Sequence, residues 1–351
     1  TYKLSKAYKE EMAVSEVTLE IESSCCLALL GTNGAGKSTF ISILTGIHSP
    51  THGEAFIFGL DVKADMAKLQ KIMGCCPQED LLWAELTARE HLHLYARFKG
   101  IADDVLQQHC TDILTSVGLV ADADNTVSTY SGGMKRRLSV GIASVASPTI
   151  MFLDEPSTGM DPLSKRRVWT MIEQLKKNRV MLLTTHSMEE ADALGDKVAI
   201  LDKGRLRAIG SSLFLKRTYG KGHTISLLSE VDDAPRVEQL VKSCIPSAEI
   251  LGTAAGNTSV SIQRSAVQGI PRLFNSLMAE DGLIKEWGLS DTTLEEVFLR
   301  LAAQNREVNA EIEGQDQGEV GRVMLVRSST GASTGLANPE LVAVLEAANP
   351  S

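Results

Sequence analysis

The sequence contains little positive charge and no long apolar run. Its 351 residues include 35 lysines and arginines against 44 aspartates and glutamates, which gives a formal net charge of −9. General nucleic-acid binding requires a basic surface, so no nucleic-acid partner is expected. The best candidate for a membrane span, Leu138–Leu153, contains serine, glycine and proline and is shorter than the ~18–20 residues that cross a bilayer. We therefore expect that this chain does not cross a membrane by itself.

Cysteine is also scarce. Of the six cysteines, four form the adjacent pairs Cys25-Cys26 and Cys75-Cys76 inside apolar stretches. Adjacent residues of a strand point to opposite faces, so a disulfide within either pair is not expected. The pattern instead predicts small buried side chains in a reducing compartment. No signal peptide is visible, and the first residue is Thr1 rather than Met, so we expect a piece of a longer polypeptide.

The composition, 43% hydrophobic and 23% charged, is typical of a soluble globular protein of about two domains. Residues 1–222 alternate short apolar runs with amphipathic segments. This pattern predicts a mainly parallel sheet with helices on its faces. The predicted strands include Cys26–Leu30, Ile150–Leu153, Val180–Leu183 and Val198–Leu201.

Residues 223–302 follow a different pattern. The predicted elements are a strand at Thr224–Leu228, a helix at Ala234–Ser243, strands at Ala248–Leu251 and Ser259–Ile262, a helix at Val267–Met278 and a strand at Ile284–Trp287. The order βαββαβ is that of a small ferredoxin-like α+β unit. A short helix, Glu295–Leu301, is predicted next. Residues 303–351 are predicted to form an acidic, flexible tail or linker, with a docked helix at Leu341–Leu345 as the alternative.

A complete phosphate-loop motif, G-x-x-x-x-G-K-[ST], follows the predicted strand Cys26–Leu30. Its residues are Gly31, Thr32, Asn33, Gly34, Ala35, Gly36, Lys37 and Ser38. The motif lies between a strand and the helix that opens at Thr39, which is the context it requires. Backbone N–H groups would hold the phosphates, Lys37 would neutralise them, and Ser38 would ligate Mg²⁺. The alternative is a glycine-rich turn with a surface lysine.

An acidic pair, Asp154-Glu155, ends the predicted strand Ile150–Leu153. A carboxylate at the carboxyl end of a strand in the same sheet as a phosphate loop is well placed for Mg²⁺. Asp154 is therefore the metal-ligand candidate. Glu155 is the candidate that orients and polarises the attacking water. The alternative is a solvated acidic loop.

A second glycine-containing segment, Tyr130–Arg137, precedes the acidic pair. Ser131 is suited to cap a helix, and Gly132 and Gly133 permit close approach of the backbone. Leu138, Ile142 and Val145 are predicted to form a buried stripe, with Lys135–Arg137 on the solvent side. Such a helix start is ready to bind an anion, although a capped helix after a turn is the preferred explanation of this segment taken in isolation.

These motifs together resemble the ATP-binding cassette (ABC) family, whose signature is a Ser-Gly-Gly segment upstream of the second acidic motif. Further residues match the family in order. Tyr8 is similar to the aromatic residue that stacks on adenine. Gln78 looks like the glutamine that senses Mg²⁺ and the lytic water. Ser157–Asp161 resembles the loop that crosses to a partner cassette. His186 looks like the histidine that contacts the γ-phosphate, although a Ser187–Glu190 capping box would explain that segment without a function.

The resemblance extends to one subfamily. The segment from Tyr130 to Ser139 and the segment Gly288–Leu299 look like the A subfamily of eukaryotic ABC transporters, which are lipid-associated. Members carry two cassettes, each followed by a small regulatory domain, which would lie in 223–302. Met134 replaces the usual glutamine of the signature, which puts only the contacts of that side chain in doubt.

The resemblance implies a P-loop NTPase cassette with a mixed sheet and a helical subdomain, an ATPase using ATP and Mg²⁺. It implies that Ser131–Gly133 contacts ATP held by a second cassette. It also implies transmembrane domains as partners, on the same or another polypeptide, and a place at the cytoplasmic face of a membrane. Leu81-Leu82-Trp83 is the hypothesised docking surface, with local packing before the Thr87–Glu90 capping box as the alternative. Rival functions are a soluble ABC-type mechanical switch and a degenerate ATP-binding regulatory module.

Overall fold

The computed structural model describes residues 1–9, 11–220, 222–280 and 282–312. The strands are β1 (Tyr2–Tyr8), β2 (Glu11–Val17), β3 (Cys26–Leu30), β4 (His52–Glu54), β5 (Phe56–Ile57), β6 (Leu60–Asp61), β7 (Met73–Cys76), β8 (Ile150–Asp154), β9 (Val180–Thr185), β10 (Lys197–Asp202), β11 (Arg205–Gly210), β12 (His223–Leu228), β13 (Glu249–Ala254), β14 (Asn257–Ile262) and β15 (Glu286–Asp291). The α-helices are α1 (Lys37–Leu44), α2 (Met66–Ile72), α3 (Ala88–Phe98), α4 (Asp103–Ser116), α5 (Gly132–Ala143), α6 (Pro162–Leu175), α7 (Met188–Leu194), α8 (Ser212–Tyr219), α9 (Ala234–Cys244), α10 (Ile270–Ala279) and α11 (Leu294–Ile312).

A six-stranded sheet, in the order β11-β10-β3-β9-β8-β7, forms the centre of the larger part of the molecule. Strands β10, β3, β9, β8 and β7 are parallel, and β11 pairs antiparallel at the edge. The apolar side chains of β3 and β9 are buried on both faces, as expected for a parallel sheet covered by helices. A second sheet, β2-β1-β4, is antiparallel. The predicted mixed-sheet cassette fold is confirmed.

The register of the central sheet brings four loops to one edge. Leu30 pairs with Thr185, Thr184 pairs with Asp154, and Leu153 pairs with Cys76. Because parallel strands end at the same edge of a sheet, the segments that follow β3, β9, β8 and β7 lie side by side there. The predicted phosphate loop, His186, the acidic pair and Gln78 belong to these four segments.

Helices α3, α4 and α5 pack against one another beside this edge and supply the predicted helical subdomain. Helix α3 begins with the predicted capping box, in which the Thr87 side chain accepts from the Glu90 backbone and the Glu90 carboxylate accepts from the Thr87 backbone. All six cysteines are free, and both adjacent pairs lie in or beside strands of the central sheet, as predicted.

The sheet β13-β14-β12-β15 is fully antiparallel, and helices α9 and α10 share its hydrophobic core. Numbered within this unit, the order is 2-3-1-4, which is the ferredoxin-like arrangement the sequence predicts. Alternation along β12 explains the packing, because Ile225 and Leu227 are buried while Thr224 and Ser226 are half-buried.

Helix α11 extends beyond the predicted Glu295–Leu301, from Leu294 to Ile312. Its buried residues Leu294, Val297 and Phe298 join the core that contains Leu215 of α8 and Leu194 of α7. The remainder of the predicted acidic tail, 313–351, lies outside the described residues, as does the alternative helix at Leu341–Leu345. None of the helices in the described part of the chain has the length and hydropathy that a bilayer span requires.

Candidate functional site

The phosphate loop depends on two glycines that the surrounding backbone leaves no room to replace. A Cβ at Gly31 would lie 2.5 Å from the carbonyl oxygen of Leu201. At Gly36 the backbone has φ +99°, and a Cβ would lie 2.2 Å from the carbonyl oxygen of Ala13. Only glycine fits both positions. Gly36 is the N-cap residue of α1, so the loop continues directly into the first turn of that helix, where backbone N–H groups have no partner within the helix.

Lys37 points into the loop rather than into solvent. Its Nζ donates to the carbonyl oxygens of Gly31 at 2.9 Å and Thr32 at 3.1 Å. It also lies 3.2 Å from Oε1 of Glu155, and its side chain is 5% exposed. The alternative of a glycine-rich turn with a surface lysine is therefore wrong. The cation lies where the loop would hold an anion.

The two acidic residues are buried at the carboxyl end of β8. Asp154 is 7% exposed, and its Oδ1 accepts from the Thr184 hydroxyl. Glu155 is 5% exposed and has φ +47°, a left-handed conformation that is uncommon outside glycine. Its N–H donates to the Thr184 hydroxyl at 3.0 Å. The pair is not the solvated loop that the sequence left open.

Glu155 is the centre of a polar cluster. Its Oε2 accepts from the Thr158 hydroxyl at 3.0 Å and lies 3.1 Å from Nδ1 of His186. An ionised carboxylate only accepts hydrogen bonds, so Nδ1 carries the proton in this pair. Burial by itself would raise the pKa of Glu155, but the Thr158 hydrogen bond and the charge of Lys37 outweigh it and hold the pKa below the usual range. Glu155 is therefore ionised at neutral pH.

A cavity of about 370 Å³ opens beside this cluster. It is lined by Gly31, Thr32, Asn33, His186 and Met188. His186 follows β9 and remains 45% exposed, so its free side reaches the opening. His186 links the opening to the cluster, because it lines the cavity and contacts Glu155, which in turn pairs with Lys37.

The predicted capping box after His186 is only half formed. The Ser187 side chain accepts from the backbone N–H of Glu190, as predicted. The Glu190 carboxylate does not return to Ser187. It is buried and accepts instead from the Ser157 hydroxyl and from Nε1 of Trp169. The prediction of a full box was wrong because a buried tertiary partner competes for the carboxylate.

The Ser131–Gly133 segment forms the start of α5 and is separate from the cluster around Glu155. Ser131 caps the helix, its Oγ accepting from the Met134 N–H at 3.3 Å. Ser131 and Gly132 are exposed, and open space surrounds the position of a Cβ at Gly132. A Cβ at Gly133 would lie 3.0 Å from the Ser164 hydroxyl oxygen. The helix start thus faces away from the chain's own packing.

The prediction that Lys135–Arg137 all lie on the solvent side was wrong. Lys135 and Arg137 are half-buried, but Arg136 is only 5% exposed. Helical spacing places residue 136 on the same face as the buried Ser139 and Val140, where its guanidinium finds hydrogen-bond acceptors. The stripe itself was predicted well, since Leu138 and Val145 are buried and Ile142 packs against the same core.

The other predicted site residues do not belong to the Glu155 cluster. Ser38 and Thr39 occupy the first turn of α1. Gln78 is exposed, two residues beyond β7 at the loop edge of the sheet. Tyr8, in β1, is 41% exposed and makes an edge contact with the ring of His48, while Nζ of Lys6 lies 5.3 Å from its ring centre.

A sequence profile described as ABC transporter matches residues 14–158. The chain is 42% identical over 297 residues to ABC transporter A family member 5 of Arabidopsis thaliana, covering 84% of this chain and 32% of that protein. It is 41% identical over 306 residues to the phospholipid-transporting ATPase ABCA3 of Rattus norvegicus, covering 85% of this chain and 18% of that protein. The chain belongs to the ABC transporter family.

A solved structure supports the same identification. The structure described as the ATP binding subunit of an ABC transporter matches with a TM-score of 0.57 and 29% identity, covering 62% of this chain and 92% of that chain. The predicted family and fold, an ABC cassette, are confirmed. This ABC chain spans a third or less of the two curated relatives named above.

Sequence reasoning missed three residues of this ABC cassette's site. Thr184 binds both members of the acidic pair, Thr158 binds Glu155, and Arg136 donates to the backbone of two site loops. The sequence contained a weak indication for Thr184, because a polar residue that ends an apolar strand of a parallel sheet lies at the edge where the site loops begin. Thr158 lies only three residues after Glu155, but a threonine in a loop does not indicate which neighbour its hydroxyl binds. Arg136 carried no signal, because most of its partners are backbone carbonyls of residues distant in sequence.

The donor chemistry of the site fits Mg²⁺. Carboxylate, hydroxyl and amide oxygens are its preferred protein ligands, and it is usually held by one or two carboxylates together with phosphate oxygens. Asp154, Ser38 and Gln78 offer one oxygen group of each kind. Within the described residues no group of three or more His, Cys, Asp or Glu side chains could hold a metal alone.

Proposed function

We propose that this chain is an ATP-binding and ATP-hydrolysing cassette that powers a membrane transporter, and that ATP drives it to pair with a second cassette. One observation carries the proposal: Lys37 and Glu155, buried at the loop edge of the sheet, face each other across 3.2 Å beside an open cavity. A phosphate entering that cavity would take over the contacts of Lys37 and release the carboxylate for chemistry.

The phosphate loop would hold the nucleotide. The N–H groups of Gly31–Ser38 and the start of α1 would surround the β- and γ-phosphates, with Thr39 in the first turn, and Lys37 would neutralise them. The exposed ring of Tyr8 offers a face for stacking on adenine. Asp154, Ser38 and Gln78 would hold Mg²⁺, which supplies charge neutralisation on the phosphate oxygens.

Glu155 and His186 would act on the reacting groups. Glu155 is ionised and can accept a proton from, or orient, the attacking water. Its left-handed backbone is held in place by Thr184, which keeps the carboxylate pointing into the site. His186 has an exposed side that can donate to the γ-phosphate. Gln78 would help place the water from the neighbouring loop.

The exposed start of α5 supports the proposed pairing with a second cassette. Ser131–Gly133 would bind the phosphates of ATP held by the partner. ATP would then join two cassettes and hydrolysis would release them. Moving that equilibrium from 1:99 to 99:1 requires ATP to favour the paired state by about 5.5 kcal/mol.

We propose phospholipids or related lipids as the transported class, because a 41%-identical relative is named a phospholipid-transporting ATPase. The transmembrane domains would belong to the same or another polypeptide, and the cassette would lie at the cytoplasmic face of the membrane. We also propose a division into the cassette, 1–222, a regulatory unit, 223–302, and a following linker or tail, 303–351. The separate core of the βαββαβ unit supports the boundary between this unit and the cassette. The start of α11, within 223–302, packs instead into the cassette core.

Leu81 and Trp83 are proposed as the docking surface for the membrane domains. Leu81 is 65% exposed and Trp83 48% exposed, whereas Leu82 packs against the core. Charging Leu81 (Leu81→Glu) in a full-length transporter should abolish lipid transport while ATP binding stays within about twofold. Leu82→Glu is the contrast, expected to lower stability through the core. Unimpaired transport by Leu81→Glu would reject the docking assignment.

The substitution Glu155→Gln tests the hydrolytic role. Removing the base should lower ATP turnover by about 10²–10⁴-fold, while the chain still binds ATP. Turnover is measured by phosphate release and binding by calorimetry. Glu189→Gln is a matched control, since Glu189 is an exposed carboxylate three residues after His186 that pairs with Lys165. Unchanged hydrolysis by Glu155→Gln would remove Glu155 from this role.

A further inference from the structure

We propose that Arg136 is a positioning residue that fixes the Gln78 loop and the Glu155 loop relative to each other and to helix α5. This inference rests on the proposed roles of Gln78 and Glu155. It adds a residue that touches neither nucleotide nor water and acts through the backbone of the two loops.

The guanidinium of Arg136 holds the loop that follows β8. Its Nε donates to the carbonyl oxygen of Pro156 at 2.9 Å. One terminal nitrogen, Nη2, donates to the carbonyl oxygens of Asp154 at 2.7 Å and Glu155 at 3.1 Å. Three consecutive carbonyls are thus bound by one side chain, at the point where the backbone of Glu155 turns into its left-handed conformation.

The other terminal nitrogen, Nη1, holds the loop that follows β7. It donates to the carbonyl oxygens of Pro77 at 2.6 Å and Gln78 at 3.1 Å, and lies 3.2 Å from Oδ1 of Asp80. The same Asp80 oxygen accepts from the Ser139 hydroxyl at 2.8 Å. Arg136 and Ser139 are three residues apart on α5, so two side chains on one face of that helix bind the loop that follows β7.

The geometry requires arginine. A guanidinium has five N–H donors in a planar fork, and the acceptors of Arg136 occupy all three of its nitrogens. Lysine has the same charge but three donors on one nitrogen, so it cannot bind both loops at once. Arg136 is also buried, and Asp80 is the carboxylate that pairs with it. The loops, rather than solvent, receive its hydrogen bonds.

Arg136 would connect the start of α5 to the two loops that carry Gln78 and Glu155. Its first residues would contact the partner's ATP, and Arg136 lies about one turn further along the same helix. A shift of α5 on pairing would therefore move the Gln78 and Glu155 loops together. Misplacement of a reacting group by about 1 Å can cost about 10²-fold in rate. Among the described residues Arg136 makes no contact with Lys37 or the phosphate loop. The affinity for ATP measured without Mg²⁺, which the Gln78 and Asp154 loops would help to hold, should therefore not depend on it.

The test is Arg136→Lys in the full 351-residue chain, with kcat for ATP hydrolysis and Kd for ATP without Mg²⁺ measured separately. We expect kcat to fall by about 10²-fold with Kd within about twofold. Arg137→Lys is the matched control. Arg137 is the next residue on α5 and also donates to carbonyls, those of Val117 and Gly118, but not to a site loop. Its kcat should stay within about threefold of the unsubstituted chain.

A second variant separates positioning from folding. Asp80→Asn keeps the size of the side chain and the backbone acceptors but removes the charge of the half-buried carboxylate, and should lower kcat by less than Arg136→Lys, again at constant Kd. Unchanged kcat in Arg136→Lys would overturn the proposal. So would parallel losses of kcat and ATP affinity in both variants. If Glu155→Gln leaves hydrolysis unchanged, the proposed function fails instead, whatever Arg136→Lys does.

Discussion

The N-termini of α1 and α5 both offer backbone N–H groups that suit an anion, but they differ in burial and in the charged side chains beside them. Helix α1 begins after Gly36, with Lys37 buried and paired with Glu155 beside a cavity. Helix α5 begins after Ser131, which is exposed, and Gly132 has open space around it. The first start is surrounded by the charges that phosphate chemistry needs. The second offers N–H groups to solvent.

The difference is what the proposed pairing would require, because each chain would then supply half of each of two sites. A helix start binds phosphate through its N–H groups and dipole in either case. Hydrolysis also requires a cation, a base and exclusion of bulk water, which only the loops at the α1 end supply. We infer that the α5 start serves a nucleotide bound elsewhere, and the predictions below test that division.

The largest expected effect is on ATP binding at the α1 start. Lys37→Ala removes charge-assisted hydrogen bonds worth about 1.5–3 kcal/mol each, so two phosphate contacts correspond to a loss of about 10²-fold or more in affinity. Calorimetric titration with ATP measures it. Lys135→Ala, the lysine in the first turn of α5, is the counterpart and should change affinity by less than about twofold. Equal losses in both variants would contradict the division.

A substitution at the start of α5 is expected to change ATP affinity less than Lys37→Ala does, but to prevent the pairing of two cassettes. Gly132→Asp places a negative charge where the partner's phosphates would bind, and the open space there accommodates the side chain. In a Glu155→Gln background with ATP, size-exclusion chromatography should show monomer for Gly132→Asp. Gly252→Asp, which also has open space, should leave the dimer intact. A dimer that persists in Gly132→Asp would remove Ser131–Gly133 from the interface.

The smallest expected effect concerns the Lys37–Glu155 pair without nucleotide. The pKa of Glu155 is held below its ordinary value of 4.5, so ionised Glu155 stabilises the fold above that pH. This contribution should be lost as the pH falls through the lowered pKa. Urea unfolding of the unsubstituted chain and of Glu155→Gln, from pH 7 downward, should give a difference in unfolding free energy that shrinks below about pH 4.5. A difference independent of pH would contradict the ionised pair.

The fold could be predicted largely because its signals are local. The apolar runs at β3, β8 and β9, the capping residues Thr87 and Ser131, and the order of elements in the small unit each depend on residues close together in sequence. Boundaries shifted by a few residues, as for β9, which continues through Thr184 and Thr185. Those threonines are polar, and only the pairing of β9 between β3 and β8 keeps them in the sheet.

The site divides in the same way. The phosphate loop and the acidic pair are contiguous motifs, so their residue types and spacing already indicated phosphate and metal chemistry. The sequence by itself thus determined the family, the sheet and the chemical groups at its edge. The tertiary structure decided which groups face one another: that Lys37 meets Glu155, that Glu190 turns to Ser157 and Trp169, and that Arg136 is buried. The physical reason is that a buried polar group must take its partners from whatever the packing brings within about 3 Å, irrespective of sequence distance.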